Sequence, residues 1–277
     1  MTNTGMVVVK FGGELLEDRV HLTTVVAALG SIATVSPVVV VHGGGREIDA
    51  ALKTAGIEKR QVDGLRITDE ATLDVVVSVL AGAVNTRLVA ALNAAGVGAV
   101  GLTGADGLCG LSDPAPPHQT TDGRVVDLGR VGVPATAADV RLLELLVAAG
   151  FVPVIACIGT GADGKLFNVN ADTFAGHLAA RLGARRLIVA GTTPGVLNEH
   201  GATAAALDGS AVSRLVADGT ATAGMIAKLR ACEHALAGGV EDVVIVDGRD
   251  RAALEVAARG TVPATATRIV ADVPTLG

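Results

Sequence analysis

The sequence predicts an α/β fold: a three-layer α/β/α sandwich around a central, mostly parallel sheet, arranged as two lobes. Three observations predict it. Short runs rich in valine and isoleucine recur along the chain, as strands buried on both faces require. Between them lie segments with apolar residues at helical spacing, several closed by a glycine. With no Trp or Tyr and only 4 Phe in 277 residues, the core has to be built from Val, Leu, Ile and Ala. Strands alternating with helices then select right-handed crossover units.

The first strand is MVVVKF (6–11). ELLEDRVHLTTVVAALG follows as a helix, with Leu15, Leu22, Val25, Val26 and Leu29 on one face and Gly30 as its stop. VVVV (38–41) leads through His42-Gly43-Gly44-Gly45 into the helix REIDAALKTAG, ended by Gly56. Residues 69–95 read as one long helix of small and aliphatic residues, stopped by Gly96 ahead of the strand VGAVGLTG. The Pro-rich, polar SDPAPPHQTTDG (112–123) reads as an exposed loop or hairpin tip. A helix over 136–150 and the strand FVPVIACIG (151–159) come next. NVNADTFAGHLAARLG (168–183) is a helix entered through Asn and Asp, and LIVAG (187–191) returns to the sheet. A turn at NEHG (198–201), helices across 209–218 and 222–237, and the strand DVVIVDG (242–248) complete the pattern. No repeat or linker interrupts it. Residues 1–277 therefore read as a single domain, with an N-terminal lobe of about 1–183 and a C-terminal lobe of about 184–277.

Composition excludes several functions. The formal net charge is −6 and no stretch is basic enough to track a phosphate backbone, so nucleic acid is not an expected partner. An anionic substrate has to be met by a few local cations. No uninterrupted apolar run reaches the ~20 residues of a membrane span, and the start lacks the pattern of a signal peptide. Cys109, Cys157 and Cys232 are odd in number and far apart, which predicts reduced, buried thiols in a cytoplasmic protein.

In open parallel sheets, ligands bind beyond the carboxyl ends of the strands. Two glycine clusters sit there: Lys10-Phe11-Gly12-Gly13 and His42-Gly43-Gly44-Gly45. Either alone is readable as a tight strand-to-helix turn. Together, with a lysine in one, they point to a phosphate cradle of backbone N–H groups and helix N-termini. The GxxxxGK[ST] loop is absent and HGGGREI fits GxGxxG poorly. Read alone, Lys10 and Lys228 are ordinary surface lysines, Arg66 an ion-pair residue, Asn168 a turn residue, Asp172 a helix cap and His42 a satisfied buried histidine.

KFGG (10–13), VVVVHGGG (38–45), VDGLRITDE (62–70), FNVNAD (167–172) and GMIAKL (224–229) occur in the order and spacing of the amino acid kinase family. The chain resembles that family from residue 6 to about residue 272, and within it the branch that phosphorylates N-acetyl-L-glutamate. The resemblance implies transfer of the γ-phosphoryl group of ATP to the side-chain carboxylate, giving an acyl phosphate in arginine biosynthesis. It implies Mg²⁺ carried mainly on the nucleotide phosphates. Lys10 and Lys228 would flank the transferring group as catalytic cations, with Asp172 orienting both. Backbone N–H groups of Gly12, Gly13, Gly44 and Gly45 would bind phosphoryl oxygens, and Arg66 and Asn168 would bind the acyl substrate. Thr192, Gly195 and Met225 would contact nucleotide. A kinase of a related acid of aminoadipate type, or a catalytically weakened ligand-binding regulator, are the alternative readings.

The chain departs from the family pattern at Thr192, where an acidic residue is usual, and at Ala223 and Ala227, in place of glycine and proline. These changes bear on nucleotide binding and leave both lysines intact. Few residues precede the first strand, so the resemblance implies a homodimer insensitive to arginine. The long helix at 69–95, with Ala81, Gly82 and Ala83, would join its subunits.

Overall fold

Among the described residues, eight strands form the central sheet: β1 Val7–Phe11, β2 Val38–His42, β3 Ala99–Thr103, β4 Val152–Ala156, β5 Arg186–Gly191, β6 Ala206–Leu207, β7 Asp242–Asp247 and β8 Thr267–Ile269. Their spatial order is β6-β8-β7-β5-β1-β2-β4-β3. All neighbours are parallel except β7 and β8. The computed structural model describes residues 5–120, 122–198, 200–217 and 223–271. Residues 1–4, on which the expectation about the N-terminus rests, lie outside this set, as do residues 121, 199, 218, 222 and 272 of the predicted segments.

The order of the strands creates the site. From β1 the chain steps to β2 on one side, while from β5, on the other side of β1, it steps outward to β7. Right-handed crossovers in opposite directions place their helices on opposite faces. Helix α1 (Arg19–Ala33) covers one face, and the other carries α5 (Ala171–Arg181) packed on α7 (Ala223–Ala237). The crevice between β1 and β5 is the point where such sheets bind ligands. Every residue of β1, β2, β4 and β5 is buried. The core is accordingly valine-rich, with Val7–Val9 and Val38–Val41 at its centre.

Several boundaries differ from expectation. ELLEDRVHLTTVVAALG is two helices, Glu14–Glu17 and α1, because Asp18 adopts extended geometry and its side chain accepts from the Val20 and His21 N–H groups. Gly30 does not stop α1, which runs on to Ala33. FVPVIACIG divides at Cys157: β4 stays in the main sheet, and Ile158–Thr160 joins a second sheet with Leu166–Val169, Val131–Pro134 and Ser112–Pro114. The predicted hairpin tip is strand at Ser112–Pro114 and again at His118–Gln119, which pairs with Val125–Val126. Strands β6 and β8, short and late, were not expected from the pattern.

Helices α2 (Gly45–Thr54) and α3 (Glu70–Ala94) follow β2, and Ser78–Val84 within α3 is π-helical, a widened turn invisible to periodicity. Length and composition would let α3 cross a membrane, but Leu73, Val76, Leu80, Val84, Leu88 and Leu92 are buried against the rest of the fold. All three cysteines are free and buried. Burial pushes the Cys109 and Cys157 thiols up to about 12 and raises Cys232 as well.

Candidate active site

The two glycine clusters meet. A Cβ built on Gly13 would lie 2.5 Å from the Gly44 Cα, so the loops leaving β1 and β2 approach backbone to backbone. On its far side Gly44 faces the π-helical turn, where a Cβ would sit 2.7 Å from Leu80 Cδ2. Gly44 caps α2 with no side chain on the first-turn N–H groups. Among the described residues, the N–H groups of Gly13, Gly44 and Gly45 have no partner. All three glycines line a cavity of about 290 Å³. Gly12 lines the same cavity, but its N–H donates to the Ala190 carbonyl at 3.1 Å. The expected donor at Gly12 is thus spent on the β1–β5 ladder, and the residue contributes only an open wall.

Lys10 is buried at the end of β1, its Nζ 2.9 Å from Asp172 Oδ1. Burial is the largest influence and works to discharge it, but the Asp172 carboxylate, assisted by Glu14 and Cys157, holds the ammonium pKa above its ordinary value. Asp172 is not the cap of α5. That role falls to Asn170, whose Oδ1 accepts from the Asp172 and Thr173 N–H groups at 2.9 and 3.1 Å. The Asp172 carboxylate is free to face Lys10, at a helix N-terminus that favours negative charge. Lys228, on α7, does not line the cavity; its Nζ stands over the end of β5, 3.2 Å from where a Cβ of Gly191 would be. Burial, and then the Lys10 charge, lower its pKa, while Asp172 and Glu14 oppose them.

On the opposite wall Arg66 rises from a hairpin, Gln61–Val62 against Leu65–Arg66, turned through Asp63 (φ 47°) and Gly64 (φ 79°). Positive φ at both positions is the two-residue hairpin turn that DG favours. The guanidinium is 9% exposed and its Nη2 lies 2.5 Å from Asp49 Oδ1. Its Nη1 is buried with no hydrogen-bond partner. Such an atom beside an open cavity is a donor awaiting an acceptor. Asn168 lines the same wall and donates through Nδ2 to Thr68 Oγ1 at 3.1 Å, leaving its carbonyl oxygen toward other groups.

The structure therefore brings together Lys10, Asp172, Gly13, Gly44, Gly45, Arg66 and Asn168, with Lys228 at the edge. Thr192, Gly195 and Met225 do not line the cavity. Gly195 has φ +68° and packs 2.5 Å, measured from a built Cβ, from Thr267 Oγ1, so its turn alone demands glycine. Met225 is partly buried against the core. Sequence reasoning missed Glu14, Asn170 and Asp49. Asn170 had a readable signal as the cap-type residue two positions before Asp172. Glu14 and Asp49 had none, since helix-face acids are ordinary.

Two ammonium groups and a set of unpaired N–H groups at the switch point of a parallel sheet define an α/β protein built to hold phosphoryl groups. A model of the amino acid kinase family matches residues 5–247. The acetylglutamate kinase of Novosphingobium aromaticivorans is 43% identical over 257 residues, covering 87% of this chain and 83% of its own. That of Erythrobacter litoralis is 42% identical over 252 residues, covering 87% and 82%. Among solved structures, an N-acetylglutamate synthase from Neisseria gonorrhoeae, complexed with coenzyme A and N-acetyl-glutamate, superposes with a TM-score of 0.82 at 25% identity. The match covers 98% of this chain and 60% of that longer one. The chain belongs to the amino acid kinase family.

Proposed function

We propose that the protein transfers the γ-phosphoryl group of MgATP to the side-chain carboxylate of N-acetyl-L-glutamate, as an acetylglutamate kinase of arginine biosynthesis. The observation that carries this reading is the pairing, in one cavity, of an N–H cradle beside Lys10 with an Arg66 guanidinium that keeps a buried, unpartnered Nη1. The first suits a phosphoryl group and the second a carboxylate. The relatives named acetylglutamate kinase give the acid its identity.

The reaction joins a carboxylate oxygen to the γ-phosphorus and breaks the bond to the ADP oxygen. The carboxylate is already ionised at neutral pH, so no base is needed. The obstacle is bringing one anion to another, which positioning and charge neutralisation relieve. Lys10 and the Gly44 and Gly45 N–H groups would meet the moving oxygens, Lys228 would meet the leaving side, and Asp172 would hold the lysines in place. Two ammonium groups, peptide N–H groups and two carboxylates that act on those ammonium groups, Asp172 and Glu14, suit phosphate oxygens rather than a resident metal, so Mg²⁺ is assigned to the nucleotide. The half of the sheet from β1 to β4 would bind the acid and the half from β5 to β8 the nucleotide, with Thr192 beside it. Two copies would associate through α3, whose apolar stretch is only 39% buried within one chain and exposes Gly82 and Ala83.

The test is acyl phosphate trapping. The protein, MgATP and N-acetylglutamate with hydroxylamine should give hydroxamate, and glutamate, aspartate or aminoadipate should give far less. No hydroxamate from any acid refutes the enzyme reading, and a preference for aminoadipate refutes the substrate. Light scattering should give twice the chain mass; a monomer refutes the dimer.

A further inference from the structure

His42 lies at the end of β2, fully buried, directly before the three glycines. Its Nδ1 is 3.1 Å from the carbonyl oxygen of Gly43. A carbonyl only accepts, so Nδ1 carries the proton and Nε2 is the ring's acceptor. Nε2 is met at 3.0 Å by Asn85 Nδ2, whose second hydrogen goes to the Val154 carbonyl at 2.9 Å. The two carbonyls thus specify both the Asn85 amide orientation and the His42 tautomer, and each N–H of the relay has its acceptor.

The consequence lies in the next peptide bond. Among the described residues no peptide is cis, and in a trans peptide the C=O and N–H point in opposite directions. Holding the Gly43 carbonyl down toward His42 aims the Gly44 N–H the other way. That N–H is one of the three without a partner at the cavity. Gly43 and Gly44 have no side chains to hold the peptide from above, so the imidazole is its anchor.

The reach of Asn85 depends on two irregularities. It is the residue immediately after the π-helical turn Ser78–Val84, and it is buried against the sheet. Opposite it in β3 stands Gly101, where a built Cβ would collide with Asn85 Oδ1. The same turn presses Leu80 and Val84 against Gly44. One face of α3 therefore sets both sides of the Gly43–Gly44 unit.

We propose that Asn85 and His42 are positioning residues that lock the Gly43–Gly44 peptide and so aim the Gly44 N–H at the transferring phosphoryl group. This rests on the phosphoryl-transfer reading above. Neither side chain touches substrate; both act through the backbone, and α3 ties the cradle to whatever α3 packs against. Burial also pushes His42 down to about 4, which keeps the ring neutral at physiological pH and preserves its donor–acceptor polarity.

Three variants test the relay. His42→Asn places an amide nitrogen where Nδ1 stood and can still hold the Gly43 carbonyl; His42→Leu cannot. Gly101→Ala displaces Asn85 from a strand remote from the cavity. A loosely aimed oxyanion donor costs ~10- to 100-fold in turnover. We expect His42→Leu and Gly101→Ala to lose kcat on that scale with the KM for the acid within twofold, and His42→Asn to regain most of it. In the wild type, ¹H–¹⁵N NMR of the imidazole should show a single Nδ1–H tautomer, a readout independent of turnover. Should His42→Leu fail to fold, Gly101→Ala and the tautomer carry the test. An Nε2–H tautomer refutes the relay, as does an unchanged kcat in folded His42→Leu or Gly101→Ala. Wild-type protein that shows the expected tautomer but forms no hydroxamate refutes the functional reading instead.

Discussion

Replacing Asp172 by asparagine should convert Lys10 from a fixed charge into a titrating one. The amide keeps the shape of the side chain and removes the anion that opposes burial. At 2.9 Å the pair's attraction is about 6 kcal/mol for an effective dielectric near 20. Losing it moves the Lys10 pKa, although water admitted to the altered site screens part of the effect. For a lysine the sign is downward, since burial disfavours the charged form. Lys228 loses the same stabilising carboxylate and moves in the same direction. The assay is hydroxamate formation across the alkaline range. The wild-type rate should hold to high pH, because Lys10 is held above its ordinary value, while the alkaline limb of kcat in Asp172→Asn should fall at clearly lower pH. A folded variant whose limb coincides with that of the wild type would show that Asp172 does not govern the charge of Lys10.

Arg66→Ala should raise the KM for the acid about 10- to 100-fold, the worth of a charge-assisted hydrogen bond, and change kcat little; Asp49 keeps Lys59 at 2.6 Å, so the wall should survive. A rise in the KM for ATP alone would reverse the placement of the two substrates. Gly44→Ala meets Leu80 at 2.7 Å on a backbone (φ −177°) that any residue tolerates, so overpacking should cost ~1–3 kcal/mol in chemical denaturation. Gly45→Ala meets nothing within 4 Å and should cost far less; equal losses would contradict the packing. His42 is neutral when folded down to about pH 4, against 6.5 when unfolded. The unfolded chain binds the extra proton between these values, so stability is complete above pH 6.5 and falls with pH. Relative to His42→Asn, the wild type should lose ~2 kcal/mol between pH 7 and pH 5 in denaturant titrations; parallel losses would mean that His42 titrates freely.

The layered sheet and the cradle were legible because each depends on residue types with few alternatives. Buried parallel strands need long Val/Ile runs, and two backbones that approach as closely as Gly13 and Gly44 need glycine. What was not legible depends on contacts between distant segments. Nothing near Cys157 marks the break between β4 and Ile158–Thr160, because residues on both sides are apolar and the chain merely changes sheet. The π-helical turn leaves the composition of α3 unchanged. The fate of the Gly12 N–H was set by Ala190, far along the chain. Asp172 shows the limit best: as an acid near a helix start it read equally well as a cap, until Asn170 proved to hold that position.

The two lysines show how an acidic protein can present cations to a polyanion without a basic surface. Lys10 is buried, and an unpaired buried ammonium discharges; the chain prevents this chiefly with the Asp172 carboxylate at a helix start, assisted by Glu14. Lys228 has no such direct pairing in its favour, and its pKa is lowered by burial and by Lys10 itself. Asp172 and Glu14 oppose these effects without the direct ion pair that Lys10 has. The arrangement leaves one cation committed by the protein and a second whose charge the incoming phosphates would stabilise. On the proposed reading, incoming phosphates would meet these two ammonium groups, and the unpaired glycine N–H groups would add donors without any charge that needs a counter-ion. A chain of net charge −6 would in this way meet phosphate with two lysines and bare backbone gathered at the crevice between β1 and β5.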